Sequence, residues 1–183
     1  TRVEDEQICL NIPDALRVHA VFESSTKSAP IIPSITLVNR SSDLTNTIQG
    51  ELVIGSSSGA VARVVSRTAT KTDIVYKNEL RFSVGESVVF QNSGITGDVS
   101  IVVIGDKNIL TDFTFDNGQR KEFYDYSRII RNGGAPEPQR QLAIIYDHYI
   151  VDTGAGGDLV TVNSYSPESY ETDLTTFFGS PSS

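Results

Sequence analysis

Gly50-Glu51-Leu52-Val53-Ile54-Gly55-Ser56-Ser57-Ser58-Gly59-Ala60-Val61-Ala62-Arg63-Val64 is answered by Gly85-Glu86-Ser87-Val88-Val89-Phe90-Gln91-Asn92-Ser93-Gly94-Ile95-Thr96-Gly97-Asp98-Val99. Gly50 matches Gly85, Glu51 matches Glu86, Val53 matches Val88, Ser58 matches Ser93, Gly59 matches Gly94 and Val64 matches Val99, all at one offset without a gap. Each copy reads as a strand, a Ser/Gly turn that needs positive φ at Gly59 or Gly94, and a returning strand. Two such hairpins, joined by the strand-like Thr72 to Tyr76, close a small β-barrel or sandwich. A Gly/Ser loop that cradles phosphate needs a helix N-terminus after it and usually a lysine. A β-branched strand follows here instead, so the loops read as hairpin turns.

The same character extends outward. Leu16-Arg17-Val18-His19-Ala20-Val21-Phe22 alternates with a period of two, which predicts a half-buried strand with Arg17 and His19 on its solvent side. Ile35 to Val38 is a short extended piece, and Leu142 to Val151 is a nearly continuous apolar strand. The glycine-rich Thr153 to Asp158 turns the chain into a hairpin partner at Leu159 to Val162. Asn117-Gly118 signals a turn, and Phe123 to Tyr126 reads either as one helical turn or as an aromatic extension into a strand. No long helix is expected. Val, Ile and Thr number 51 against 19 for Leu and Ala, the balance of a β-rich chain.

The chain has 183 residues, long enough for one ordinary domain or two small ones. Its net charge of −8 argues against a nucleic-acid surface, where clustered Lys and Arg must neutralise phosphate. The single cysteine, Cys9, excludes an internal disulfide and a thiolate metal cluster, and reads as a small buried strand residue. The longest strongly apolar run, Ile101 to Ile104, is far too short to span a bilayer, so membrane insertion is not expected. The acidic start and the lack of any Met point to a segment of a longer polypeptide or a processed product.

Few residues carry chemistry. Asp152-Thr153-Gly154-Ala155 matches the signature of retroviral-type aspartic proteases, in which two Asp share a proton. The flap and the apolar-apolar-Gly segment that such enzymes need after the signature are missing, so a hairpin turn is the stronger reading. Calcium is the alternative at Asp152 and Asp158, or at Asp112, Asp116, Asn117 and Glu122, but neither group has the spacing of a known loop. His19 and His148 are the only histidines, and no serine sits in a Gly-x-Ser-x-Gly elbow. An enzyme, a cofactor and a metal centre are therefore not expected. The aromatic cluster of Phe113, Phe115, Phe123, Tyr124, Tyr126, Tyr146, Tyr149, Tyr165 and Tyr170 reads first as packing. Tyr124, Tyr126, Arg128 and Tyr149 are the candidate contact surface, with Arg128 and Arg131 able to pin the loop against Asp112, Asp116 or Asp125.

Several phrases resemble large virion structural proteins of contractile-tailed marine phages, chiefly cyanophages. They are Asn11 to Glu23, the run Phe115-Asp116-Asn117-Gly118-Gln119-Arg120 with Phe123 to Ile129, Ile145 to Tyr149, and Val162 to Tyr165. The paired Gly-Glu…Ser-Gly hairpins resemble small β-modules inserted in phage tail polypeptides. The resemblance is structural and brings no catalytic residues. It implies a non-catalytic tail, baseplate or fibre-associated module, assembled in the host cytoplasm and carried in the virion. Its partners would be other tail proteins and further copies of itself. A host-surface adhesin, recognising glycan or protein through the aromatic cluster, is the alternative.

The expected architecture is mainly β. Residues 47–105 would form an inserted small barrel on the 35-residue duplication. Residues 1–46 and 106–183 would combine into a β-sandwich-like domain.

Overall fold

A computed structural model describes residues 2–13, 15–121 and 125–148. The chain is mainly β, with antiparallel pairing in every sheet whose register is defined. The strands in order are β1 (Gln7–Cys9), β2 (Ala15–Glu23), β3 (Ser34–Val38), β4 (Leu52–Gly55), β5 (Val61–Arg67), β6 (Lys71–Tyr76), β7 (Ser87–Phe90), β8 (Thr96–Val103), β9 (Lys107–Asn108), β10 (Phe113–Asp116), β11 (Arg128–Arg131) and β12 (Leu142–His148). Among the described residues the only helical pieces are two single 3-10 turns, Leu44–Asn46 and Leu110–Asp112. The chain forms two compact units. Of the described residues, one comprises those within 2–18, 111–135 and 146–148, the other His19–Leu110 and Pro136–Ile145.

The second unit holds a closed barrel in the order β3-β6-β5-β4-β7-β8. The duplicated hairpins and β6 supply five strands of this ring. The gap left between β6 and β8 is filled by β3, which pairs with both. The ring therefore begins at Ser34, upstream of the expected 47–105 insert. Five strands leave two open edges, whereas full closure satisfies both with a sixth. Inward-pointing residues from all six strands, including Ile35, Leu37, Val53, Val64, Ile74, Val88, Phe90 and Val99, form one core.

The duplication is visible in the bonding. Gly50 N–H donates to Val64 O at 2.9 Å, and Gly85 N–H to Val99 O at 2.7 Å. Ser56 N–H donates to Ser87 O at 3.0 Å, and Gln91 N–H to Leu52 O at 2.8 Å. Pairing of β4 with β7 is centred on Ile54↔Val89, with Val53↔Phe90 and Gly55↔Val88 on either side. A shift of 35 residues exchanges the two ends of that ladder, so a pseudo-two-fold axis passes through its middle. Gly59 (φ 66) and Gly94 (φ 69) both occupy the left-handed region that the turn requires.

In the same unit, residues 19–23 of β2 and 142–145 of β12, strands of the sheet β12-β2-β9, add a smaller core in which Ala20, Phe22 and Val75 pack with Ile32, Val65, Ala143 and Ile145. The alternation expected of β2 is not what this strand shows. Val18 through Phe22 are buried without a break, His19 is only 5 % exposed, and Leu16 is 38 % exposed. β9 and β12 cover the edges of this strand, Ala20 and Phe22 pack with Val75 on one face, and the burial of His19 and Val21 on the other removes the period of two. The other unit holds sheet β1-β11-β10, with Ile129 fully buried and Ile8 and Phe113 nearly so. Cys9 lies on β1, half-buried instead of fully buried. The segments expected to form a sandwich thus give two three-stranded sheets among the described residues.

Candidate functional site

The two Ser/Gly loops of the barrel are held by the glutamates of the opposite repeat. Glu86 is 6 % exposed and lies under the loop after β4. Its Oε2 accepts from Ser58 N–H (3.0 Å), Ser57 N–H (3.4 Å) and Ser57 Oγ (3.1 Å), and its Oε1 from Ser58 Oγ (3.0 Å) and Ser83 N–H (2.5 Å). Glu51, 5 % exposed, does the same for the loop after β7. Its Oε2 accepts from Asn92 N–H (2.9 Å), Ser93 N–H (2.9 Å) and Ser93 Oγ (3.2 Å), and its Oε1 from Ile48 N–H (2.6 Å). Every glutamate, serine and upstream amide in one set is 35 residues from its counterpart. The locks are reciprocal across the pseudo-two-fold axis, so each hairpin needs the other to fix its turn.

A buried carboxylate survives when hydrogen bonds replace its water. For Glu86, desolvation by burial pushes the pKa up. The bonds from Ser83, Ser58 and Ser57 outweigh it and leave the pKa below the ordinary carboxylate value. The connection between the repeats is also tied down. Asn78 Oδ1 accepts from Val61 N–H at 3.2 Å and its Nδ2 donates to Gly59 O at 3.0 Å, while the Arg81 guanidinium lies 4.2 Å from the Tyr76 ring centroid.

The candidate contact surface is described only in part, because Tyr124 and Tyr149 lie outside the described residues. Tyr126 is 55 % exposed. Arg128 is engaged internally: it pairs with Asp125, its Nε is 3.5 Å from Asp116 Oδ2, and its Nη1 donates to Gln7 Oε1 at 3.2 Å. Of the three carboxylates expected to pin this loop, Asp116 and Asp125 do so. Asp116 also accepts two bonds from Arg120, at 3.0 and 2.6 Å, and one from Gly118 N–H at 3.0 Å. The Arg120 bonds lead in holding its carboxyl down to about 2. Asp116→Asn is therefore expected to cost at most about 1 kcal/mol near neutrality, because the cluster faces water. A depressed carboxylate contributes fully above its unfolded pKa, so the gap between variant and parent in urea melts should hold down to about pH 4 and close as pH falls through the folded pKa of about 2. A gap unchanged down to acid would show that the ion pairs contribute nothing.

His148 is exposed at the end of β12, its ring 5.8 Å from that of Tyr146, and His19 is enclosed. No group of three or more His, Cys, Asp or Glu is placed to hold a metal among the described residues. The Asp152-Thr153-Gly154 motif, Asp158 and the hairpin at Leu159 to Val162 lie outside them, as do Glu122 and Phe123. The functional feature that sequence reasoning missed is the pair of glutamate locks. Its signal was present: an acidic residue recurs with a Ser/Gly turn at one offset. Comparison with protein-family models, with curated proteins and with solved structures finds no match to this chain.

Proposed function

We propose that the chain is a non-catalytic structural module of a phage tail, baseplate or fibre-associated, working through protein–protein contacts in the virion. The observation that carries this reading is the reciprocal locking of the barrel loops. The acidic residues of the duplicated motif are spent on holding two turns rigid, a use that suits a stiff spacer presenting fixed loops to neighbours. The phrases that resemble marine phage virion proteins support the location in this reading. Other tail proteins and further copies of the chain are the partners in this reading, with assembly in the host cytoplasm. Gold-labelled antibody raised against the chain is expected to decorate purified particles at a fixed level of the tail. Antigen confined to the particle-free fraction of the lysate would end the proposal.

The exposed ring of Tyr126 favours a second reading, a host-surface adhesin. That reading expects reproducible binding to host cells or to a glycan array, weakened by Tyr126→Ala. Equal binding by parent and variant would remove it.

A further inference from the structure

The outer wall of the barrel has a face with its own symmetry. Val61 pairs with Ile54, Ile54 with Val89, and Val89 with Thr96, so one row of side chains crosses β5, β4, β7 and β8. Strand alternation puts this row outside, because the neighbours Val53, Ala62, Val88 and Gly97 are all buried. Val89 is 41 % exposed and Thr96 is exposed. Another part of the wall is covered: Val75 on β6 is 1 % exposed beneath Ala20 and Phe22.

Two charges flank the row. Arg63 on β5 and Asp98 on β8 are 35 residues apart, so the pseudo-two-fold axis relates their positions while their signs are opposite. Neither is neutralised. Arg63 donates from Nη1 to Gly50 O at 2.7 Å and has no ion pair among the described residues. Asp98 accepts from Ser87 Oγ at 2.6 Å and Asn39 Nδ2 at 3.0 Å, both uncharged.

We propose that this face binds a second copy of the chain, about a two-fold axis lying in the face and perpendicular to the line from Arg63 to Asp98. Rotation about that axis lays Arg63 on Asp98 of the partner subunit and Asp98 on Arg63 of the partner subunit, with the apolar rows between them. An axis along the line would instead stack like charge on like charge, so the charges select one arrangement. The opposite signs at symmetric positions are what make the surface self-complementary. A convex barrel wall meets its copy over a small area, so the dimer is weak and sensitive to salt. This inference does not depend on the tail reading.

Sedimentation of the whole chain between about 10 µM and about 1 mM tests it, a range that spans weak self-association. The parent should shift toward dimer at the upper end and back toward monomer in high salt. Arg63→Asp and Asp98→Arg should each stay monomeric, since each makes a face of one sign. Their equimolar mixture should restore a dimer, one face now carrying two acids and the other two arginines. Val89→Lys, at an exposed position, should also stay monomeric with an unchanged circular dichroism spectrum, which separates loss of the contact from loss of the fold. A parent that is monomeric throughout would overturn the proposal. So would a dimer that tolerates each single charge change, or a mixture of the two variants that remains monomeric.

Discussion

Replacing Glu86 with alanine is expected to lower the stability of the barrel by about 3 kcal/mol, near the upper end of single-residue effects. The substitution strips the acceptor from the Ser57, Ser58 and Ser83 groups that now converge on Glu86. The part of that polar surface that stays buried pays its full desolvation penalty, and this exceeds the net worth of the bonds themselves. Glu86→Gln keeps one acceptor oxygen and the shape of the side chain, so its loss should be smaller. It also isolates the charge. Because the folded pKa lies below the unfolded value of about 4.3, the carboxylate contributes fully above that value and loses its contribution as pH falls through the folded pKa. The difference in urea midpoint between parent and Glu86→Gln should be constant above about pH 5 and narrow below about pH 4. A difference that persists unchanged into acid would mean the lock does not depend on ionisation. Amide exchange at Ser57 and Ser58 should rise most in both variants, because those donors lose their acceptor first.

The barrel was legible in the sequence because its main pattern is local. A hairpin needs only strand propensity and a glycine at the turn, and both recur at one offset in 50–64 and 85–99. The strand that closes it was not legible, since β3 joins the ring through pairing with residues more than thirty positions away, and no short-range pattern encodes such a partner. The shelter of β2 was hidden for a related reason. Its sequence alternates, but His19 is buried by tertiary surroundings that outweigh the pattern. Glu51 and Glu86 were visible as a matched pair without a role. Acidic residues at strand starts are ordinarily solvated, and only the closed ring shows that each reaches the other repeat's loop.

The largest difference in side-chain volume between the two repeats faces the core, and there the second large effect is expected. Gly55 and Phe90 are equivalent by the 35-residue shift, yet one has no side chain and the other is the largest fully buried residue. Gly55 is not there for its backbone, as its φ is not positive; it is there for space. A Cβ at this position would stand 2.5 Å from Ser58 Oγ and 2.7 Å from Glu86 Oε2, inside the lock. Phe90→Ala should cost about 4 kcal/mol through lost burial and the cavity left behind. Gly55→Ala should cost less, about 1 to 2 kcal/mol, by pushing the Glu86 carboxylate off its donors. The decisive variant exchanges the pair, Gly55→Phe with Phe90→Gly. Composition and total volume are conserved, and the two positions are symmetric on the backbone. If the locks were equivalent, the exchanged protein would be about as stable as the parent. We expect instead a loss at least as large as that of Phe90→Gly alone, because the ring would be built into the space Glu86 occupies. Urea melts of the parent, of Phe90→Gly and of the exchange decide it, and recovery of stability in the exchange would show that the repeats are interchangeable.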